Sequence, residues 1–415
     1  MMKKQSITTP RKEWIAMKKQ EKIPLRQQPT LWLRQNRPTV LILLGGILFF
    51  VIAALLLAPK KEAGIVPAEF SEYETARVEQ VLTDTCEPDP TADGSQRGEQ
   101  SLIVTVTSGR YKGEQLQVSN YVGPLYGVPV KAGESAVLII STYADGSHYA
   151  TVHEFNRIAP LCIVLSLFLL ISVLVGGRTG AKSLVGLVLT LACLFFVLIP
   201  GLMKGFPTLP TVFVVCCFIA IMSLTILGGV SRKTVSAMAG AVAGTALALL
   251  FGLLSQSLLH IDGLRLEDVE PLLQLRQTGT PLHLRGLLVG GVAISTLGAV
   301  MDVTMGIASS LSEVYDADPT TDLKGLFRSG MNIGRDMVGT MTNTLILALL
   351  GGSFSLIIYL YSLGLSTHQL LSSAYLSLEV ISSVSASVGV ILSIPVTAFI
   401  SAWLLTQTRN SRKKS

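Results

Sequence analysis

The strongest constraint on this chain is a repeated pattern of long, nearly uncharged apolar runs joined by short charged segments. One such run covers residues 40–58, and others recur from Ile158 to Thr406. A helix rises about 1.5 Å per residue, so a run of about 20 residues matches the ~30 Å hydrocarbon core of a bilayer. Only 14% of the 415 residues are charged, against about 25% in soluble domains. The charges that remain are concentrated before Val40, between Lys60 and Arg157, in short loops, and after Arg409. Such partitioning points to lipid, rather than a large soluble core, as the solvent for most of the chain.

The runs at 40–58, 158–177, 183–203, 207–227, 234–258, 286–308, 337–361 and 374–406 predict about eight crossings. The segment 1–39 carries ten basic residues against Glu13 and Glu21. A basic flank of this kind holds the N-terminus on the cytoplasmic side. It also explains the net charge of +6 without nucleic-acid binding. Pro59, Lys60 and Lys61 follow the first run without a small-residue cleavage pattern, so residues 40–58 read as a retained anchor. Arg178 with Lys182, Arg232 with Lys233, and the basic tail 407–415 then fall inside, and both termini are cytoplasmic. The loop between His260 and Arg285 carries three arginines on the outer side and is the exception to that rule. The last run is long for one crossing and contains Pro395, which raises a tilt, a kink or a break.

Residues 66–157 follow a different period. SLIVTVTSG, GEQLQVSNYV, SAVLIISTYA and their neighbours alternate apolar and polar residues and are rich in Val, Ile, Thr and Tyr. Ser108-Gly109, Lys112-Gly113, Ala132-Gly133 and Asp145-Gly146 separate them as turns, the last with a hairpin signature. Five or six short strands predict a small extracytoplasmic β-rich domain, OB-like or a sandwich. Arg110, Tyr111 and Lys112 are too short a cluster to form a nucleic-acid groove. Of the five cysteines only Cys86 lies in this domain, so no disulfide supports it. The other four fall in apolar runs, and no Cys/His spacing suggests zinc or any cofactor.

The costly residues inside the membrane carry the functional signal. Asp302 lies in LGAVMDVTMG, and at helical spacing Ser295, Gly298, Asp302, Gly306, Ser309 and Glu313 form one small or polar stripe. On the next run Asn332, Asp336, Thr340 and Asn343 follow at steps of four, four and three, with Arg335 beside them. Antiparallel packing through a shared cytoplasmic loop brings Asp302 and Asn343 to a similar depth. Ser295, Asp302, Arg335, Asp336, Thr340 and Asn343 are therefore candidate contacts for a small solute or a cation, with Glu379 a further acid in the last run. The competing reading is that these groups hydrogen-bond to one another and fix helix packing. Between the two stripes, Asp318-Pro319 followed by Leu323, Leu326 and Phe327 predicts a short helix on the inner membrane surface.

No enzyme signature accompanies these residues. His153-Glu154 is not followed by the second histidine of HExxH, and GxSxG, Walker A and Rossmann glycine patterns are absent. The blocks ISTLGAVMDVTMGIASSLSEV and SGMNIGRDMVGTMTNTLILALLGG resemble the YibE/F family of bacterial membrane proteins, over roughly residues 158–406. That resemblance implies a multi-pass protein of the bacterial cell membrane and no particular activity. It also places Asp302, Arg335, Asp336 and Asn343 inside the family's signature blocks. Two functions stay open at this point. One is a permease that moves a small solute or ion past Asp302. The other is a non-transport scaffold or sensor that presents the β-domain to envelope partners, as a single chain or a homo-oligomer.

Overall fold

A computed structural model of the chain describes residues 37–57, 71–92, 94–142, 148–261, 269–277 and 279–412. The basic segment before residue 37, the Asp145-Gly146 turn and Arg265 of the arginine-bearing loop lie outside the described residues. The chain divides into two compact units, Pro59–Ala181 and Met1–Ala58 together with Lys182–Ser415.

The first unit contains six strands: β1 (Ser71–Asp84), β2 (Glu87–Pro88), β3 (Gln96–Val106), β4 (Gln115–Val122), β5 (Ser135–Thr142) and β6 (His148–Phe155). Strand β1 pairs antiparallel with β5 along its first half and with β3 along its second half. Two register shifts, at Val78/Gln80 and Val81/Thr83, curl it from one partner to the other. The ring continues through β3–β4, a parallel bridge Ser119↔Thr151 between β4 and β6, and β6–β5. This closed five-strand order, with one parallel contact, is OB-like, and β2 is a short addition on β3. The alternation in β3 and β5 turns Leu102, Val104, Leu138 and Ile140 inward, all fully buried. Each contributes about 1.5–3 kcal/mol of burial energy. Gln100 and Asn120 form a polar point in the interior. The Gln100 side-chain oxygen accepts from Asn120 Nδ2 and from the Val130 amide, each at 2.9 Å, and its nitrogen donates to Asp84 at 2.8 Å. These bonds pin the loop between β4 and β5 to the barrel.

Helix α1 is Arg37–Leu57 and α2 is Ile158–Cys193, extended by a π-helical turn Leu194–Leu198 and a short α3 (Ile199–Met203). Then follow α4 (Thr208–Gly228), α5 (Arg232–Leu258), α6 (Val269–Gln277), α7 (Leu287–Ala317), α8 (Leu323–Gly352), α9 (Phe354–Ser362), α10 (Thr367–Leu371) and α11 (Ala374–Arg412). Among the described residues six helices are long and apolar enough to cross a membrane, or seven if the bent pair α8–α9 counts as one. The difference from eight lies in Ile158–Met203, a helical segment of 46 residues where the sequence predicts two crossings. It is interrupted at Gly177, whose φ of 54° and ψ of −133° suit only glycine. Gly180 then packs against the carbonyl of Ser172, which on a straight helix would lie about 12 Å away.

The core of the second unit is built by α5, α7 and α11, which meet through small residues. Gly240 faces Thr397 and Thr304, Gly244 faces Ser393 and Val300, and Gly389 faces Ala248 and Thr296. Lipid tails are as apolar as leucine, so helices associate there by close van der Waals fit, which small residues permit. Several hydroxyls in this seam return their protons to the helix backbone, as Thr397 Oγ1 does to the Ser393 carbonyl at 2.7 Å and Thr296 Oγ1 to the Val292 carbonyl at 2.5 Å. Helix α11 runs unbroken through Pro395, so the long last run is one helix. Helix α8 starts earlier than predicted. Asp322 caps it by accepting from the Gly325 amide at 2.9 Å, and the helix continues through Leu326 and Phe327 to Gly352. The separate surface helix is therefore replaced by the first turns of α8. Asp318 instead folds its carboxylate onto the amide and hydroxyl of Thr320. At the other end α8 and α9 meet at a bend of 62° next to Gly351-Gly352.

Candidate functional site

Helix α7 is amphipathic within an apolar setting. Leu297, Val300, Val303, Ile307 and Leu311 are buried in the core, which turns the Ser295–Gly298–Asp302–Gly306–Ser309 row to another side. That row lines one wall of a cavity of about 630 Å³. The facing walls come from Ser183, Gly186 and Thr190 at the end of α2, and from Cys216, Ile219 and Ser223 on α4.

Contacts along the bundle give the depth of this cavity. Arg232 donates to the Leu404 carbonyl at 3.2 Å, which sets α5 and α11 at one level. Thr397 lies seven residues further along α11 and faces Gly240, which in turn faces Thr304. At 1.5 Å per residue Asp302 sits roughly 15 Å from the Arg232 level, about half the thickness of a hydrocarbon core. The helix extends to Ala317, so Glu313 remains on it but is exposed and outside the cavity.

Asp302 has no hydrogen bond and no ion pair among the described residues. Among the described residues no Lys, Arg or His lines the cavity. The remaining polar groups are hydroxyls. Ser295 Oγ donates to the Val292 carbonyl at 3.0 Å, and Thr190 Oγ1 donates to the Gly186 carbonyl at 3.0 Å. Both oxygens keep lone pairs for a ligand. Ser223 Oγ is buried without any partner. The set is a carboxylate surrounded by neutral hard oxygens, with no positive charge to offset it. That composition accepts a cation, a proton or a solute carrying an ammonium group, and it disfavours anions. Among the described residues no group of three or more His, Cys, Asp or Glu is placed to hold a metal ion.

The second predicted stripe lies elsewhere. Gly306 faces Met337, so α7 and α8 do run side by side with Asp302 near the level of Met341. Met337, Val338, Met341 and Leu345 turn towards the core. Arg335, Asp336, Thr340 and Asn343 occupy the opposite, exposed side of α8 and do not line the cavity. Thr340 Oγ1 donates to the Met337 carbonyl at 3.1 Å, while no bond joins any of these residues to Asp302. Glu379 is half-buried near the start of α11 and away from the cavity. Ser183, Thr190 and Ser223 were not singled out by sequence. Each is an isolated hydroxyl in an otherwise apolar span, a pattern that ordinarily means a side chain bonded to its own helix.

A core of long apolar helices joined through small residues, with one exposed acid in an open cleft between them, fits a multi-helix membrane protein. The sequence model of YibE/F-like proteins matches residues 164–407, and the chain belongs to that family. No curated protein and no solved structure matches the chain.

Proposed function

We propose that this protein is a permease for a small cation or cationic solute, with Asp302 as the intramembrane binding group. Eight crossings, cytoplasmic termini and an external OB-like barrel complete the proposal. The basic joints at Arg178/Lys182 and Arg232/Lys233 and the basic tail support that orientation, and the break at Gly177 supports dividing the 46-residue segment in two. One observation carries the reading: an acid without a counter-charge faces a cavity about halfway along the bundle. A carboxylate at that depth is expensive unless a cation or proton meets its charge. A cavity of about 630 Å³ falls within the range that holds small organic ligands, about 300–1,000 Å³. It is therefore large enough for a hydrated ion or a compact amine.

The test uses the full chain in proteoliposomes loaded with pH- and sodium-sensitive dyes. Asp302→Asn removes the charge at constant volume, and flux of the ion that moves in wild type is expected to fall at least tenfold. Unchanged flux in the variant would remove Asp302 from the mechanism. A second reading, a scaffold that displays the barrel to envelope partners, draws support from the exposed polar side of α8. It expects no ion movement in wild type or variant.

A further inference from the structure

Helix α8 has two unlike sides. On one, Gly330 packs against Leu311 and Ala398, and Gly334 packs against Ile394. On the other, Arg335, Asp336, Gly339, Thr340, Asn343 and Thr344 are all exposed, and no described residue packs against Gly339. This side is not at the end of the bundle. Met337, on the core side of α8 at the same level, faces Gly306, one helical turn from Asp302. The contacts used above place Arg335 and Asp336 on the order of 10 Å inside the Arg232 level, with Asn343 about 10 Å deeper. Hydrocarbon cannot solvate an arginine, an aspartate and an asparagine at such depth, so protein must cover them.

Among the described residues Arg335 and Asp336 make no ion pair. As neighbours in a helix they point about 100° apart and do not face each other. We infer that a second copy of this chain covers the exposed side of α8, forming a two-fold dimer about an axis along the membrane normal. Under that symmetry, Arg335 of each copy meets Asp336 of the other at equal depth. Both charges are then neutralised by one operation. An anionic lipid would answer Arg335 and leave Asp336 uncompensated. An unrelated protein would need an acid and a base at matching spacing, which the second copy supplies automatically. Gly339, one turn on, allows the two helices to approach closely. Asn343, a further turn on, then meets its symmetry mate, where side-chain amides hydrogen-bond across the interface.

The inference does not depend on transport. Its test begins with a full-length chain whose five cysteines are replaced by serine. Single cysteines at Gly339 or Asn343 are oxidised in native membranes, with Val214→Cys and Phe399→Cys as exposed controls on other helices. Efficient disulfide dimers at 339 and 343, and not at the controls, are expected. In the second arm, native mass spectrometry follows Arg335→Asp, Asp336→Arg and the two together. Each single reversal should shift the population towards monomer by at least tenfold, and the double reversal should restore the dimer. Cross-linking at 339 and 343 no greater than at the controls would overturn the proposal. So would a cross-linked product containing a different protein, or a double reversal that stays as monomeric as the singles.

Discussion

At the scale of single residues, small side chains and buried polar atoms decide more here than large apolar ones do. A β-carbon added at Gly244 would come within 2.7 Å of Ser393 Cβ and 2.8 Å of Val300 Cγ1. Neither neighbour can swing away, because both belong to packed helices. Gly244→Val should therefore destabilise the helical unit by about 1–3 kcal/mol, the usual cost of overpacking. Thermal unfolding of the detergent-solubilised chain would show it, and an unchanged midpoint would mean that α5 and α11 are not held this tightly. In the barrel, the Cys86 amide and the Gln100 side chain both donate to Asp84 and hold its carboxyl below the ordinary value of 3.8. A depressed pKa in the folded state contributes stability that is complete above the unfolded value and is lost as pH falls through the folded one. Amide exchange around Gln100 and Val130 should accordingly accelerate as pH drops below about 4, once the intrinsic pH dependence is subtracted. Asp84→Asn should abolish that acid-linked part. The Cys86 thiol is pushed up to about 11 by burial, with the Asp84 carboxylate adding to the effect. Its reaction with maleimide at neutral pH should be slow, since the thiolate is the reactive form.

At the scale of elements, breaks in regular structure separate what is readable in the chain from what is not. Period-two alternation identified the strands, because each half-buried strand writes its own environment into its sequence. The pairing of β1 with both β3 and β5 was not readable, since it depends on bulges at Glu79 and Leu82 that carry no glycine or proline. Apolar runs located the helices but not their ends. Asp318-Pro319 has the form of a helix start, yet Asp318 bonds to Thr320 and Asp322 caps α8 instead, with Leu326 and Gly330 buried in its first turns. Asp302 and its row on α7 were legible because a charge in an apolar run is conspicuous. The α8 row was equally conspicuous, but periodicity gives spacing along a helix and not which neighbour that side meets. The hydroxyls of Thr190 and Ser223 became visible only when α2 and α4 were placed opposite α7. At Gly177 the positive φ predicts that a side chain is costly. Gly177→Val should lower the yield of folded protein, whereas Gly176→Ala, with φ not positive and open space around it, should be near neutral.

At the scale of the whole molecule, the chain combines an OB-like barrel, stabilised by an ordinary apolar interior, with a helical unit whose surface is largely apolar and is broken by the polar side of α8 and by the cleft at Asp302. Leu161, Leu170 and Leu254 are all exposed in the single chain, as expected of surfaces that meet lipid rather than water. The functional account depends on the cleft at Asp302 being reached by water from one side of the membrane. Cysteines introduced at Gly298 and Gly306, which line it, and at Leu254, which does not, can be challenged in sealed vesicles with a membrane-impermeant thiol reagent after the native cysteines are replaced. Labelling at 298 and 306 from at least one side, with Leu254→Cys silent, is the expected result. Protection of both cavity positions from both sides would mean that Asp302 faces a dry interior and would contradict the account.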